Sequence, residues 1–240
     1  MKNCIVIIPT YNEADCAPKI IDAVLRQSND VHVLIVDDNS PDGTARMVKS
    51  LIPMSNGRLH LLERPGKQGL GTAYIAGFKW SLQNGYDYIV EMDADFSHPP
   101  SKLIELYDAC ASGAADVAVG SRYTRNGKVS NWPMGRILMS YFASVYVRMI
   151  TFMPVSDTTA GFVCYTRHVL QALKLDEISF VGYAFQIEMK YAAWRKGFKI
   201  VEVPITFTDR KEGVSKMSKG IFKEAVYGVL KLRRKYPRAA

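Results

Sequence analysis

The 240-residue chain has few cysteines, no long apolar run and no standard nucleotide-binding loop. Its four cysteines, Cys4, Cys16, Cys110 and Cys164, are scattered without C-x-x-C spacing. That pattern argues against both a disulfide framework and a zinc site, and fits small core residues in a reducing compartment. A membrane-spanning helix needs ~20 apolar residues. The uncharged stretch 137–147 has 11 residues and stops at Arg148. The N-terminal apolar run 4–8 is too short for a secretory signal and ends at Pro9. Residues 66–72 are glycine-rich but lack the spacing of G-x-x-x-x-G-K-S/T, and Tyr74 stands where G-x-G-x-x-G needs its third glycine. The segment therefore reads as a close-approach loop and helix start. No nucleic-acid recognition motif is present.

Hydrophobic residues make up 48%, enough for a substantial core. The charge is unevenly spread. Residues 1–120 carry 10 Lys/Arg against 15 Asp/Glu, and residues 121–240 carry 21 against 8, within a total of +8. An acidic half beside a basic one suits a site that holds a cation on one side and draws anions to the other.

Short β-branched runs alternate with helical patterns. Residues 4–8, 31–36, 59–62, 88–92 and 117–119 read as strands, and 17–27, 43–51, 72–84 and 102–112 as helices. In the last helix Leu103, Leu106, Tyr107 and Cys110 share one face. This order predicts an α/β fold, a doubly wound and mostly parallel sheet with helices on both faces and ligands at the carboxyl ends of the strands. Beyond residue 120 the pattern predicts a long apolar helix over 135–152, a strand over 161–165, a helix over 184–196 and a strand over 200–207. A basic amphipathic helix is expected over 221–235, with Ile221, Phe222, Ala225, Val226, Val229 and Leu230 on its apolar stripe. One domain is expected over 1–240, with a nucleotide-sugar and metal half (1–120), an acceptor half (121–216) and a basic membrane-proximal helix (217–240).

The sharpest chemical signal is Asp93-Ala94-Asp95, directly after the apolar strand 88–92. Two carboxylates two residues apart on extended backbone can point the same way and offer hard oxygen ligands to Mg²⁺ or Mn²⁺. An isolated D-x-D also fits a polar turn that caps the next helix. Ser97 offers a third oxygen, and His98 can order the loop. Asp37-Asp38 ends another apolar strand, where consecutive side chains face opposite ways and should do different jobs. Pro9-Thr10-Tyr11-Asn12-Glu13 adds an aromatic ring and an acid at a third strand end. Arg122 follows a fifth buried strand on the same edge, while Arg136, Arg210 and Lys216 lie in loops or at element ends. Guanidinium groups grip phosphate oxygens bidentately.

Together these strings resemble the dolichyl- or polyprenyl-phosphate mannose synthases, inverting glycosyltransferases of the GT-A fold. The resemblance also covers Asn39-Ser40-Pro41-Asp42-Gly43-Thr44, Gly69-Leu70-Gly71-Thr72-Ala73-Tyr74, Gly120-Ser121-Arg122-Tyr123, Asp157-Thr158-Thr159-Ala160-Gly161-Phe162 and Gly182-Tyr183-Ala184-Phe185-Gln186. It implies that Pro9, Tyr11, Glu13, Val36 and Asp38 hold the nucleoside, and that Asp93, Ala94 and Asp95 contact the diphosphate-sugar. It implies metal ligation by Asp93, Asp95 and Ser97; some relatives carry glutamine where Ser97 stands. Arg122 and Arg136 would meet the acceptor phosphate, and Arg210 and Lys216 the donor diphosphate. The expected reaction is metal-dependent transfer of mannose from GDP-mannose to a dolichyl or polyprenyl phosphate. It would occur peripherally at the cytoplasmic face of an anionic membrane, with a membrane-anchoring subunit as a possible partner. Two rival readings are UDP-glucose-dependent glucosyl transfer to the same lipid, and a non-catalytic nucleotide-sugar-binding membrane adaptor.

Overall fold

A computed structural model describes residues 1–182, 184–209 and 228–237. The first half runs β1 (Cys4–Thr10), α1 (Ala17–Leu25), β2 (Val31–Asp37), α2 (Thr44–Leu51), β3 (Leu59–Glu63), α3 (Leu70–Gln83) and β4 (Tyr88–Glu91). The second continues with α4 (Leu103–Ala111), β5 (Val117–Ser121), β6 (Lys128–Ser130), α5 (Met134–Thr151), β7 (Val163–Thr166) and α6 (Arg167–Ala172). It ends with α7 (Ala184–Arg195), β8 (Ile200–Pro204) and β9 (Thr206–Thr208). Residues 228–235 form a terminal helix.

Seven strands make one sheet in the order β3-β2-β1-β4-β7-β5-β8. Among the described strands of this sheet, only β7 runs antiparallel to its neighbours, β4 and β5. Successive connections leave β1 towards β2 and β3 on one side, then cross to β4 on the other. The crevice between β1 and β4 is therefore the topological switch point, where open α/β sheets bind ligands beyond the strand ends.

Central strands buried on both faces require apolar residues at every position. Residues 4–8 meet that demand, with every side chain fully buried. Cys4, Val6 and Ile8 pack with Ile20 and Val24 of α1 and Leu103 and Leu106 of α4. Ile5 and Ile7 face the opposite way, towards Tyr74 and Phe78 of α3 and Phe185 and Met189 of α7. Burying each such aliphatic contributes about 1.5–3 kcal/mol. Gly77 of α3 lets helix and strand approach closely, because a Cβ there would lie 2.7 Å from the Ile7 side chain.

Three features of the second half differ from the sequence pattern. The strand expected over 200–207 divides after β8, where Pro204 has no amide hydrogen to extend the ladder. β9 then pairs with β6 in a separate two-stranded ribbon. In α7 every residue from Ala184 to Ala193 is buried, including Gln186, Glu188 and Lys190, so the helix has no solvated face to produce a periodic pattern. In the terminal helix, Val229 and Leu232 join a third apolar cluster with Val147, Ile187 and Tyr191, while Leu230 is 51% exposed. Lys235 turns inward to Glu188, at 2.7 Å. The expected stripe positions 221–226 lie outside the described residues.

At the opposite end of the sheet from the acidic loops, His32 and His60 stack at 5.4 Å. The Tyr86 hydroxyl lies 2.8 Å from His32 Nδ1 and 3.2 Å from His60 Nε2. Burial lowers both imidazole pKa values below the ordinary 6.5, with Arg58 adding to the effect at His32 against a smaller opposing pull from Asp30, and His32 adding at His60. Such groups bind fewer protons folded than unfolded. Their contribution is therefore complete above about pH 6.5 and is lost as pH falls towards the lowered folded values. Denaturant melts between neutral and mildly acidic pH should show this slope, and a H32Q/H60Q variant should flatten part of it. An unchanged slope in the variant would remove these histidines as its source.

Candidate active site at the strand ends

β1 and β2 finish side by side, with Thr10 in register with Asp37. The Thr10 hydroxyl donates to Asp37 at 2.8 Å, and Asp37 also accepts the Ser40 amide at 2.9 Å and its hydroxyl at 2.6 Å. Asp37 thus ties the loop to the strands. Asp38 faces the other way and lies 2.9 Å from Arg64 Nε, both side chains being buried. Burial raises the Asp38 carboxyl pKa, and Arg64 and the Gln68 amide pull it back.

The loops after β1 and β2 turn through Asn12 and Asn39, at φ +58° and +57°. Asparagine tolerates this left-handed region better than most side chains. Ser40, Thr44 and Asp42 accept the amides of Asn12, Glu13 and Ala14 at 3.0, 3.1 and 3.0 Å. Tyr11 lies under Lys67, whose ammonium is 4.8 Å from the ring centroid. Pro9 is half-buried in β1, and Val36 is fully buried in β2.

Beyond β4, Asp93 and Asp95 are both half-buried while Ala94 points into the core. Tyr74 donates its hydroxyl to Asp93 at 3.3 Å, and the Ser97 amide donates to Asp95 at 3.0 Å. Phe96 sits at φ +61°, a sharp reversal that brings residue 97 back towards Asp95. His98 is buried, stacked on Phe162 at 5.1 Å and edged by Phe207 at 5.6 Å. Its pKa is lowered by burial, against the pull of Asp93 and Asp95. Its Nδ1 accepts the Asp93 amide at 3.1 Å, which puts the proton of the neutral ring on Nε2. His98 is therefore a loop brace.

The donor set fits a hard divalent cation. Two carboxylates on one short loop are each oriented by a neutral donor, and the buried Ser97 Oγ beside them makes no hydrogen bond among the described residues. Asp93, Asp95 and Ser97 are the residues available to hold it.

The basic side is built around Arg122, just after β5. Its Nε and Nη2 donate to the two Asp157 oxygens at 2.7 and 2.6 Å, and Nη2 also reaches Thr159 at 2.8 Å. Burial works to raise the Asp157 carboxyl pKa, but the charge and hydrogen bonds of Arg122 outweigh it and hold the group below the usual carboxylate value. Arg136, in the first turn of α5, stacks 3.9 Å above Trp132 and donates to both Asp209 oxygens at 3.1 Å. Arg210 and Lys216 lie outside the described residues.

A buried polar layer underlies the edge. Burial pushes the Glu91 carboxyl up to about 8 and the Lys190 ammonium down to about 8, each partly offset by the other's charge. Lys190 donates to the Ala160 carbonyl at 2.6 Å. Sequence reasoning did not assign Arg64, Glu91, Lys190, Trp132 or Asp209 to the site. Asp157 belongs to the family-like stretch 157–162, which by itself assigns it no role. Lys190 had no detectable signal, because a lysine in a helix reads as solvated until the helix proves to be buried all round.

The model of glycosyl transferase family 2 matches residues 5–173. The chain belongs to this family. It is 47% identical over 225 residues to a polyprenol monophosphomannose synthase of Mycolicibacterium smegmatis, covering 94% of this chain and 84% of that one. It is 44% identical over 225 residues to an undecaprenyl-phosphate mannosyltransferase of Micrococcus luteus, covering 94% and 91%. The solved glucosyl-3-phosphoglycerate synthase of Mycobacterium tuberculosis, in complex with Mn²⁺ and UDP-glucose, shares the fold. Its TM-score is 0.68 at 15% identity, covering 100% of this chain and 80% of that one. This family 2 glycosyltransferase therefore has the expected GT-A architecture, with the Asp93–Ser97 loop after β4 and Arg122 after β5 at the strand ends.

Proposed function

We propose that the protein transfers mannose from GDP-mannose to a polyprenyl phosphate, with inversion, at a membrane surface. The observation that carries this reading is the 47% identity, over nearly the whole chain, to a polyprenol monophosphomannose synthase. Pro9, Tyr11, Glu13, Val36 and Asp38 form the proposed nucleoside side. Asp93, Asp95 and Ser97 would hold Mg²⁺ or Mn²⁺, which when bound would supply positive charge beside the leaving diphosphate. Arg210 and Lys216 are proposed to support that same diphosphate.

On the acceptor side, Arg122 and Arg136 meet the lipid phosphate. Asp157 and Asp209 fix the planes of the two guanidinium groups beforehand, so little ordering remains to be done on binding. A phosphate oxygen bonds to the anomeric carbon as the bond to the diphosphate breaks. The acceptor is already ionised at neutral pH, so no general base is needed, and the residues act by positioning and by stabilising charge. The chain is proposed to work as one unit, with a donor half over 1–120 and an acceptor half over 121–216.

Membrane association is the second part of the reading. Among the described residues no helix is long and apolar enough to cross a bilayer. α5 instead turns Met134, Leu138, Phe142 and Met149 outward, in a half of the chain with 21 Lys/Arg against 8 Asp/Glu. Such a face suits an interfacial helix on an anionic leaflet.

Thermal unfolding with nucleotides tests the donor. GDP with Mn²⁺ at about 100 times its Kd should stabilise the protein by roughly 2.7 kcal/mol, which raises Tm by roughly 5–10 °C. A shift with UDP and none with GDP would transfer the reading to a uridine donor.

A further inference from the structure

The outward apolar stripe of α5 ends at a second feature. Met134, Leu138, Tyr141, Phe142, Met149 and Phe152 fall on one side of the helix and are 45–71% exposed. Arg136 lies in its first turn, and Phe152 caps the other end, roughly 25 Å away at 1.5 Å per residue. There, α5, α7 and the terminal helix enclose a cavity of about 520 Å³, lined by Thr151, Phe152, Trp194, Arg195, Arg233 and Pro237. No carboxylate lines it among the described residues. The Arg233 guanidinium lies 5.3 Å from the Phe152 ring centroid, and that of Arg195 lies 5.7 Å from Tyr191 and 5.9 Å from Trp194. Arg195 Nε is buried and makes no hydrogen bond among the described residues.

A buried cationic N–H without an acceptor is costly. Two arginines, two exposed-edge aromatic rings and an adjoining apolar stripe match one ligand class, a phosphate diester carrying acyl chains. We propose that this cavity is a headgroup site for an anionic phospholipid. It would hold the far end of α5 on the bilayer and so set the tilt at which the acceptor phosphate reaches Arg136. The inference rests on the reading of α5 as the membrane face and deepens it, since a basic surface alone gives attraction without a defined orientation.

The test is co-sedimentation of the full chain with two kinds of vesicle: phosphatidylcholine alone, and phosphatidylcholine mixed with phosphatidylglycerol. R195Q/R233Q is compared with K231Q/R234Q, which removes equal charge from exposed neighbours outside the cavity. Both variants should bind the mixed vesicles more weakly because each loses two positive charges, and the cavity variant should lose about 10-fold more than the control. Transfer to a short, detergent-dispersed acceptor should be unchanged in both. R233Q alone, at an exposed position, guards against a folding defect at Arg195, and should reproduce part of the loss with an unaltered Tm. Equal losses in the cavity and control variants would overturn the site and leave general electrostatic attraction. Trp194 fluorescence responding to inorganic phosphate, with vesicle binding unaffected by the cavity variant, would assign the cavity to a soluble anion and overturn the lipid inference. No vesicle binding by the unmodified protein would remove the membrane reading itself, and the inference with it.

Discussion

Asp95→Ala should keep its fold and lose transfer activity by roughly 10²–10³-fold, the range found when one preorganised group that stabilises developing charge is removed. Asp95 is half-buried on a loop beyond β4, where its carboxylate accepts the Ser97 amide at 3.0 Å. Its removal therefore threatens the loop locally and the core little. The electrostatic consequence is larger, because one of the two carboxylates proposed to hold the dication is gone. Asp95→Asn retains an acceptor for the Ser97 amide and loses only the charge, so it separates the two roles. If charge matters, both variants fall together, and the Mn²⁺ concentration for half-maximal activity rises. Near-normal, metal-dependent turnover in Asp95→Asn would mean that the ion is held elsewhere. Circular dichroism and thermal melts of both variants should match the unmodified protein.

Asp157→Ala should damage stability instead. Asp157 has no exposure, and its carboxylate takes three hydrogen bonds from Arg122, from the amide at 2.9 Å and from the two guanidinium nitrogens. Removing one partner of a buried pair leaves an uncompensated charge and costs about 3–5 kcal/mol. For a chain of this size that corresponds to a Tm lower by roughly 10 °C. The carboxyl pKa is depressed in the folded state, so its contribution is present above the ordinary carboxylate value and is lost as pH falls through the lowered one. Asp157→Asn should therefore weaken the acid limb of the stability profile as well as lower Tm at neutral pH. Arg122→Lys should not rescue the arrangement, because an ammonium cannot span both oxygens as the guanidinium fork does. A Tm change under about 2 °C in Asp157→Ala would show that the pair contributes little net stability, as some buried pairs do.

The contrast between these two aspartates shows what was legible in the sequence. Asp93 and Asp95 were readable because they follow an apolar strand and precede a loop with no apolar demand, so their chemistry stands out from their surroundings. The first five strands and four helices were readable as short β-branched runs and helical patterns bounded by Gly, Pro, Asn or Asp. The antiparallel direction of β7 was not, since residues 163–166 carry no mark of strand polarity. That polarity follows from where α5 delivers the chain. The split between β8 and β9 was signalled by Pro204, although the apolar run across it read as one strand. The inward charges of α7 were illegible for a physical reason. Gln186, Glu188 and Lys190 look solvated until the partners that neutralise them, Glu91, Ala160 O, Lys235 and Tyr236 among them, are brought in from distant elements. Arg122 stands out in the sequence by its place after β5, but its partner Asp157 lies 35 residues away and has no periodic relation to it.

The most direct measurement follows radiolabelled sugar from water into the organic phase. Purified protein would be given a detergent-dispersed polyprenyl phosphate, Mg²⁺ or Mn²⁺, and either GDP-mannose or UDP-glucose. The expected result is metal-dependent label in the lipid from GDP-mannose, with none from UDP-glucose and none in Asp95→Ala. Label from UDP-glucose alone, or transfer that proceeds undiminished in chelator, would contradict it.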